Sequence, residues 1–177
     1  MDSSEQKAVS NLKIFAVLLL VGIVLSFVPF ISIIGSILSI VALIFLMLSF
    51  KLLSGNDKNF KMPFEFTLLS LIGLVLMIAG LFVMFGSAVL SAGFSNIAAS
   101  LLAPSVSTGG LIAGTAMMIV GAILALIGFI AGVILGLWRV GKKYNSSMIS
   151  IGAIFLIIPV LDIVGTILII VGLLKLQ

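Results

Sequence analysis

Between Phe66 and Trp138 the chain runs for 73 residues without one charged side chain, and an earlier stretch, Ile14–Phe50, does the same for 37. A helix crosses a bilayer core of about 30 Å with ~20 apolar residues. A water-soluble fold has too little polar surface here to cover so much apolar side chain, since 63% of residues are hydrophobic and only 8% charged. The chain therefore reads as an integral membrane protein. Its opening, Met1-Asp2-Ser3-Ser4-Glu5, is polar, and the apolar run after Lys13 far exceeds a signal-peptide core, so a retained first span is expected.

Both runs are too long for single crossings. The first contains Pro29 near its middle, and proline breaks a helix and biases Val28 toward extended backbone. Ser32 follows as a candidate N-cap. The expected result is a tight hairpin, Leu12–Val28 and Ser32–Leu53. The longer run divides at its small, polar segment from Ser91 to Gly110, leaving spans near Phe64–Leu90 and Leu111–Trp138.

A second proline hairpin closes the chain. Gly22, Pro29, Gly35 and the run Ile40-Val41 recur as Gly152, Pro159, Gly165 and Ile170-Val171, and 10 of 26 positions are identical over 22–47 against 152–177. The constant Gly–Pro–Gly spacing carries the repeat, because apolar matches alone come cheaply in such a chain. Asp162 stands where the first copy has Ser32. Counting outward from each turn sets Gly22 level with Ser39, Ser26 with Gly35, Gly152 with Ile169 and Leu156 with Gly165. The second hairpin is shorter, with ~22 Å per arm at helical rise against the ~30 Å core. Either snorkelling by Lys143 and Lys175 or local thinning of the bilayer closes the gap, or the hairpin re-enters on the side it came from.

The fold predicted is all-α, a polytopic transmembrane bundle of six helices in which two short Pro-centred hairpins flank two long central helices. One membrane domain holds an N-terminal segment 1–11, hairpin 12–53, central pair 64–138 with external segment 91–110, and hairpin 144–177. With six crossings, Lys7, Lys13, Lys51, Lys58, Lys61, Arg139, Lys142, Lys143 and Lys175 all fall on one side, and the other keeps only Asp162. The positive-inside rule makes that basic side cytoplasmic, placing both termini in the cytoplasm of a cell-membrane protein. Both hairpin copies then enter from the same side, a parallel repeat rather than the inverted kind of many transporters.

Few residues offer chemistry. The chain has no cysteine and no histidine, which removes thiolate sites, the commonest metal ligand and the commonest general base. Asp162 is the one acid in an apolar stretch. It reads either as a proton or cation site or as a helix cap, and Ser32 in the other copy favours the cap. No catalytic set, cofactor site or metal site is visible, and an enzyme is the least expected class. The basic residues are too few and too tied to membrane ends for nucleic acid. Lys51, Lys58, Lys61, Arg139, Lys142 and Lys143 are candidate contacts for anionic lipid or a cytoplasmic partner. Asn145-Ser146-Ser147 matches a glycosylation sequon on the predicted cytoplasmic side.

Small residues mark helix contacts. Gly128, Gly132 and Gly136, preceded by Gly114, Gly121 and Ala125, form a stripe on the fourth span, and Gly73, Gly80 and Ser87 recur at heptad spacing on the third. The leading reading packs these two helices within one molecule. Self-association or partner binding through Gly128, Gly132 and Gly136 is the second, and a pore lining the third.

In the opening hairpin with Phe27-Val28-Pro29-Phe30, the basic connector and the closing Ile158-Pro159-Val160-Leu161-Asp162, the chain resembles the uncharacterised archaeal and bacterial membrane family called domain of unknown function 996. The resemblance implies multi-pass topology and no particular activity, cofactor or site. The sequence thus leads to a structural or accessory membrane component in contact with the lipid bilayer. A transporter or channel for an apolar or uncharged solute is the alternative.

Overall fold

The computed structural model describes residues 2–92, 108–158 and 160–176. The predicted bends at Pro159 and most of the external segment 91–110 lie outside these residues, as does the side chain of Ser87. Among the described residues six helices form: α1 (Ser3–Ser26), α2 (Ser32–Asn56), α3 (Lys61–Ala92), α4 (Thr108–Gly128, continued through a π-helical stretch Phe129–Ile134 into Leu135–Lys143), α5 (Ser147–Phe155) and α6 (Asp162–Leu174). A 3₁₀ turn, Lys58–Phe60, joins α2 to α3. The architecture is the all-helical bundle expected, and α1, α2, α3 and α4 are each long and apolar enough to cross a membrane.

Helix α1 starts upstream of the apolar run. The Asp2 carboxylate accepts the Ser3 backbone N–H and Glu5 lies in the first turn, both favourable at the positive end of a helix. The α1–α2 turn occupies 27–31, leaving Phe27 and Phe30 exposed. Its backbone hydrogen bonds recur 130 positions later. Ile31 N–H to Val28 O (2.9 Å) is matched by Leu161 N–H to Ile158 O (2.8 Å), and Gly35 N–H to Ile31 O (3.2 Å) by Gly165 N–H to Leu161 O (2.8 Å). The sequence repeat is therefore a repeat of the turn itself.

One local expectation is corrected. Ser32 and Asp162 are the first helical residues, and the caps are Ile31 and Leu161. The backbone at Ile31 (φ −107°, ψ −6°) and Leu161 (φ −101°, ψ 0°) is already near-helical. No extended residue is left to present a capping side chain. Instead the Ser32 hydroxyl donates back to the Pro29 carbonyl at 3.0 Å. Asp162 still faces the favourable end of the α6 dipole, but its Oδ1 is buried without a hydrogen-bond partner among the described residues.

The described residues fall into two compact units, Met1–Leu71 with Ile127–Gln177, and Ile72–Leu126. In the first unit both hairpins pack arm to arm, and α1 also meets α6. A Cβ added at Gly22 would stand 2.7 Å from Ser39 Oγ, and one at Gly35 2.6 Å from the Gly22 carbonyl oxygen and 2.8 Å from Ser26 Oγ. In the second hairpin a Cβ at Gly152 would meet Ile169 Cγ1 at 2.7 Å, and one at Gly165 would lie 3.2 Å from Leu156 N. These are the pairs that counting from the turns gave. Between the hairpins and the basic ends of α3 and α4 lies a core with Phe15, Leu46, Phe50, Phe60, Leu137 and Ile149 fully or almost fully buried. On α4, a Cβ at Gly128 or Gly132 would run into the α3 backbone at Ser70 and Thr67, and one at Gly136 into the Phe50 ring. Spacing by four residues overshoots a 3.6-residue turn by ~40° per step, and the wider π stretch takes up that surplus.

The second unit is a pair of helix segments. Gly73 lies against Gly121 and Ala125, and Gly80 against Gly114 and Met118, so the two stripes meet within one chain as the leading reading held. Their outer faces carry exposed Val75, Phe82, Ile112 and Leu126.

Helix α4 ends in a Schellman turn. Ser146 N–H bonds Gly141 O at 2.8 Å and Asn145 N–H bonds Lys142 O at 3.3 Å, with Asn145 left-handed at φ 51°. The sequon asparagine is thus the residue that reverses the chain. Asn145→Gly should be neutral or stabilising in a thermal melt, whereas Asn145→Val should cost about 1–2 kcal/mol. Gly35→Ala should lower stability by about 1–3 kcal/mol. Gly86→Ala, where an added Cβ meets nothing within 4 Å, should be neutral or better in the same melt.

Candidate functional site

Polar and ionic side chains of the first unit gather where α1 begins and α4 ends. The connector between α2 and α3 is fixed three ways. Asp57 caps the 3₁₀ turn, its Oδ1 accepting the Asn59 N–H at 2.9 Å. Phe60 is driven into the core and stacks on Phe50, ring centroids 6.2 Å apart. The Arg139 guanidinium reaches across from α4 and donates to the Asn59 carbonyl oxygen. A polar 3₁₀ turn anchored by an aromatic and an arginine is held in one position.

Over this floor lies a pocket of about 360 Å³ lined by Asp57, Asn59, Phe60, Arg139, Lys142 and Lys143. The structure thus brings together three of the six basic residues singled out in the sequence. Lys51, Lys58 and Lys61 are exposed and do not line it. Lys61 pairs loosely with Glu65 at 4.0 Å, an exposed helix pair of small consequence. Lys143 is committed elsewhere, to Glu5 of α1 at 2.6 Å, with both side chains about four-fifths buried at 21% and 20% exposure. That ion pair ties the start of α1 to the end of α4. Among the described residues, Arg139 and Lys142 enter no ion pair. Lys142 Nζ lies 5.4 Å from the centroid of the Trp138 ring, within cation–π range.

Sequence reading identified the cations but missed their neighbours. Asp57, Asn59 and Phe60 sit in a loop whose geometry depends on Phe50, across a helix end and a turn, and on Arg139, far away in the chain. The one local signal is Asp57, a turn-capping residue two positions before the N–H it accepts. The Glu5–Lys143 pair joins segments far apart in the sequence and leaves no local trace.

Tyr144 closes this region. Its hydroxyl is buried without a hydrogen-bond partner among the described residues, and its ring packs, partly buried, against the core. Burial, reinforced by the negative charge of Glu5, pushes its pKa up to about 12. Among the described residues no three acids come together in a way that would hold a metal ion.

Six hydroxyls inside the helices are turned back on their own backbone, while that of Thr115 lies against Met84 Sδ at 3.9 Å. Ser26, Ser36, Ser39, Ser49, Thr67 and Thr166 each donate to the carbonyl four residues earlier, at 2.7–3.0 Å. Four long apolar helices, glycine-lined contacts and self-satisfied hydroxyls define the framework of a helical membrane protein. The chain belongs to the family described as "Protein of unknown function (DUF973)", whose model matches residues 1–177. This corrects the resemblance to domain of unknown function 996: both names denote uncharacterised families, and the low-specificity aliphatic hairpin motifs did not distinguish them. No curated protein and no solved structure matches the chain.

Tyr144 is the sole tyrosine, so its ionisation can be read directly by ultraviolet absorbance. The folded protein in detergent should titrate near pH 12, and the denatured chain near pH 10. Because the folded value is the higher, the stability this group contributes is present below pH 10. It is lost as pH rises through that window.

Proposed function

We propose that this chain is a multi-pass membrane protein acting through helix packing, as a structural or accessory component with no enzymatic activity of its own. The observation that carries this reading is where its polar and small groups go. Ser26, Ser39, Thr67 and Thr166 bond back into their own helices, and the glycines of the hairpins and stripes lie against neighbouring backbone and side chains. So engaged, these particular groups supply neither a hydrophilic route nor a catalytic cluster. On this reading the basic end faces the cytoplasm with both termini, and the protein resides in the cell membrane.

Association with a second copy or another membrane protein belongs to the same proposal. Gly128, Gly132 and Gly136 contact Ser70, Thr67 and Phe50 of their own chain, so a partner using them would have to open those contacts. The exposed apolar faces around Val75, Phe82 and Ile112 offer a surface without that cost. A second reading, a transporter or channel for an apolar or uncharged solute, draws on the duplicated hairpin turns. Solute uptake or conductance in liposomes containing only this protein would favour it over the first.

Crosslinking in native membranes tests the packing proposal. Adducts with itself or another membrane protein are expected, and a strictly monomeric protein without adducts would sink it. Gly128→Leu should lower the melting temperature of the monomer through its clash with α3. If instead the melt is unchanged and the adducts vanish, the glycine stripe lies between molecules.

A further inference from the structure

We propose that the pocket over the 57–60 connector binds the phosphate of an anionic phospholipid headgroup, held by Arg139 and Lys142. The inference goes beyond the packing role and does not depend on it. It rests on which charges are free and which are spent. Lys143 is neutralised by Glu5 at 2.6 Å. The Asp57 carboxylate opposes an anion, but its Oδ1 is engaged by the Asn59 N–H at 2.9 Å. Two cations outside any ion pair among the described residues, Arg139 and Lys142, therefore face one acid already hydrogen-bonded to backbone.

The Arg139 fork is oriented before any ligand arrives. One terminal nitrogen donates to the Asn59 carbonyl oxygen, which fixes the plane and leaves the other donors for an oxyanion. Lys142 supplies a second, mobile charge against Trp138. The volume, about 360 Å³, lies within the range of small-molecule sites.

Position selects a lipid over a soluble anion. Trp138 is an amphipathic aromatic of the kind that settles at the headgroup level, and the 73 uncharged residues end at it. Leu135, four residues before Arg139 and so on the same helix face, is exposed. A phosphate on Arg139 and Lys142 would leave its acyl chains to run along α4 past Leu135.

Trp138 is the only tryptophan and so serves as the probe. Full-length protein in a neutral detergent is titrated with phosphatidylglycerol or phosphatidylcholine, following Trp138 fluorescence, with native mass spectrometry counting bound lipids. Saturable binding of phosphatidylglycerol in preference to phosphatidylcholine is expected. K142Q, at an exposed residue the fold does not need, should weaken it about fivefold, and R139Q/K142Q roughly 25-fold. K51Q/K61Q removes the same charge outside the pocket and should change affinity less than twofold. Equal losses in both double variants would mean diffuse attraction and overturn the site, as would equal affinity for the two lipids. Displacement of phosphatidylglycerol by equimolar glycerol phosphate or inorganic phosphate would overturn the lipid in favour of a soluble anion. Because K142Q leaves the Arg139–Asn59 tether intact, failure of R139Q/K142Q to fold would still leave a readable variant.

Discussion

Backbone lying against backbone at glycine is the contact on which this structure depends. In a bilayer, apolar side chains gain nothing by leaving lipid for protein, so helices associate through close packing and hydrogen bonds. Gly22 against Gly35, Gly152 against Gly165, Gly73 against Gly121 and Gly128 against Ser70 are four such approaches, in separate parts of the chain. Each removes the side chain that would hold two helices apart. Among the described residues, the exposed stretches of these helices carry aliphatic and aromatic side chains such as Val24, Val75, Phe82 and Ile112.

The same economy governs polar groups. A serine or threonine in hydrocarbon must find an acceptor, and a carbonyl four residues back is always within reach. Ser26 and Ser39 use it in hairpin one, and Ser36 and Thr166 use it at matched positions of the two copies. Ionic groups instead concentrate at one end, where Glu5–Lys143 and Arg139–Asn59 tie distant segments together. The interior is settled by shape and the basic end by charge.

The hairpin frame was legible because its cause is local. Proline, a fixed count of residues and a glycine at the right height define the turn and the arm contacts, and the pairs Gly22–Ser39 and Gly152–Ile169 follow by counting. The identity of the caps was not, since a residue's preference for a cap says nothing about whether Ile31 and Leu161 are already near-helical. The π stretch escaped for a related reason: glycines four apart announce close packing but not which turn must widen. At the basic end the cations were visible, while their arrangement rests on Phe60 meeting Phe50 and on Lys143 meeting Glu5. Glu5 and Lys143 are far apart in the chain, and Phe50 and Phe60 are parted by a helix end and a turn, so no regular spacing marks either pair as neighbours.

Helices of unequal reach stand side by side in the first unit. Arms of 24 and 25 residues pack beside arms of 9 and 13, or roughly 36 Å of rise beside 14 and 20 Å. If the first unit lies within a bilayer, lipid beside α5 and α6 has much less helix to match than lipid beside α1 and α2, and each ångström of mismatch carries a fraction of a kcal/mol.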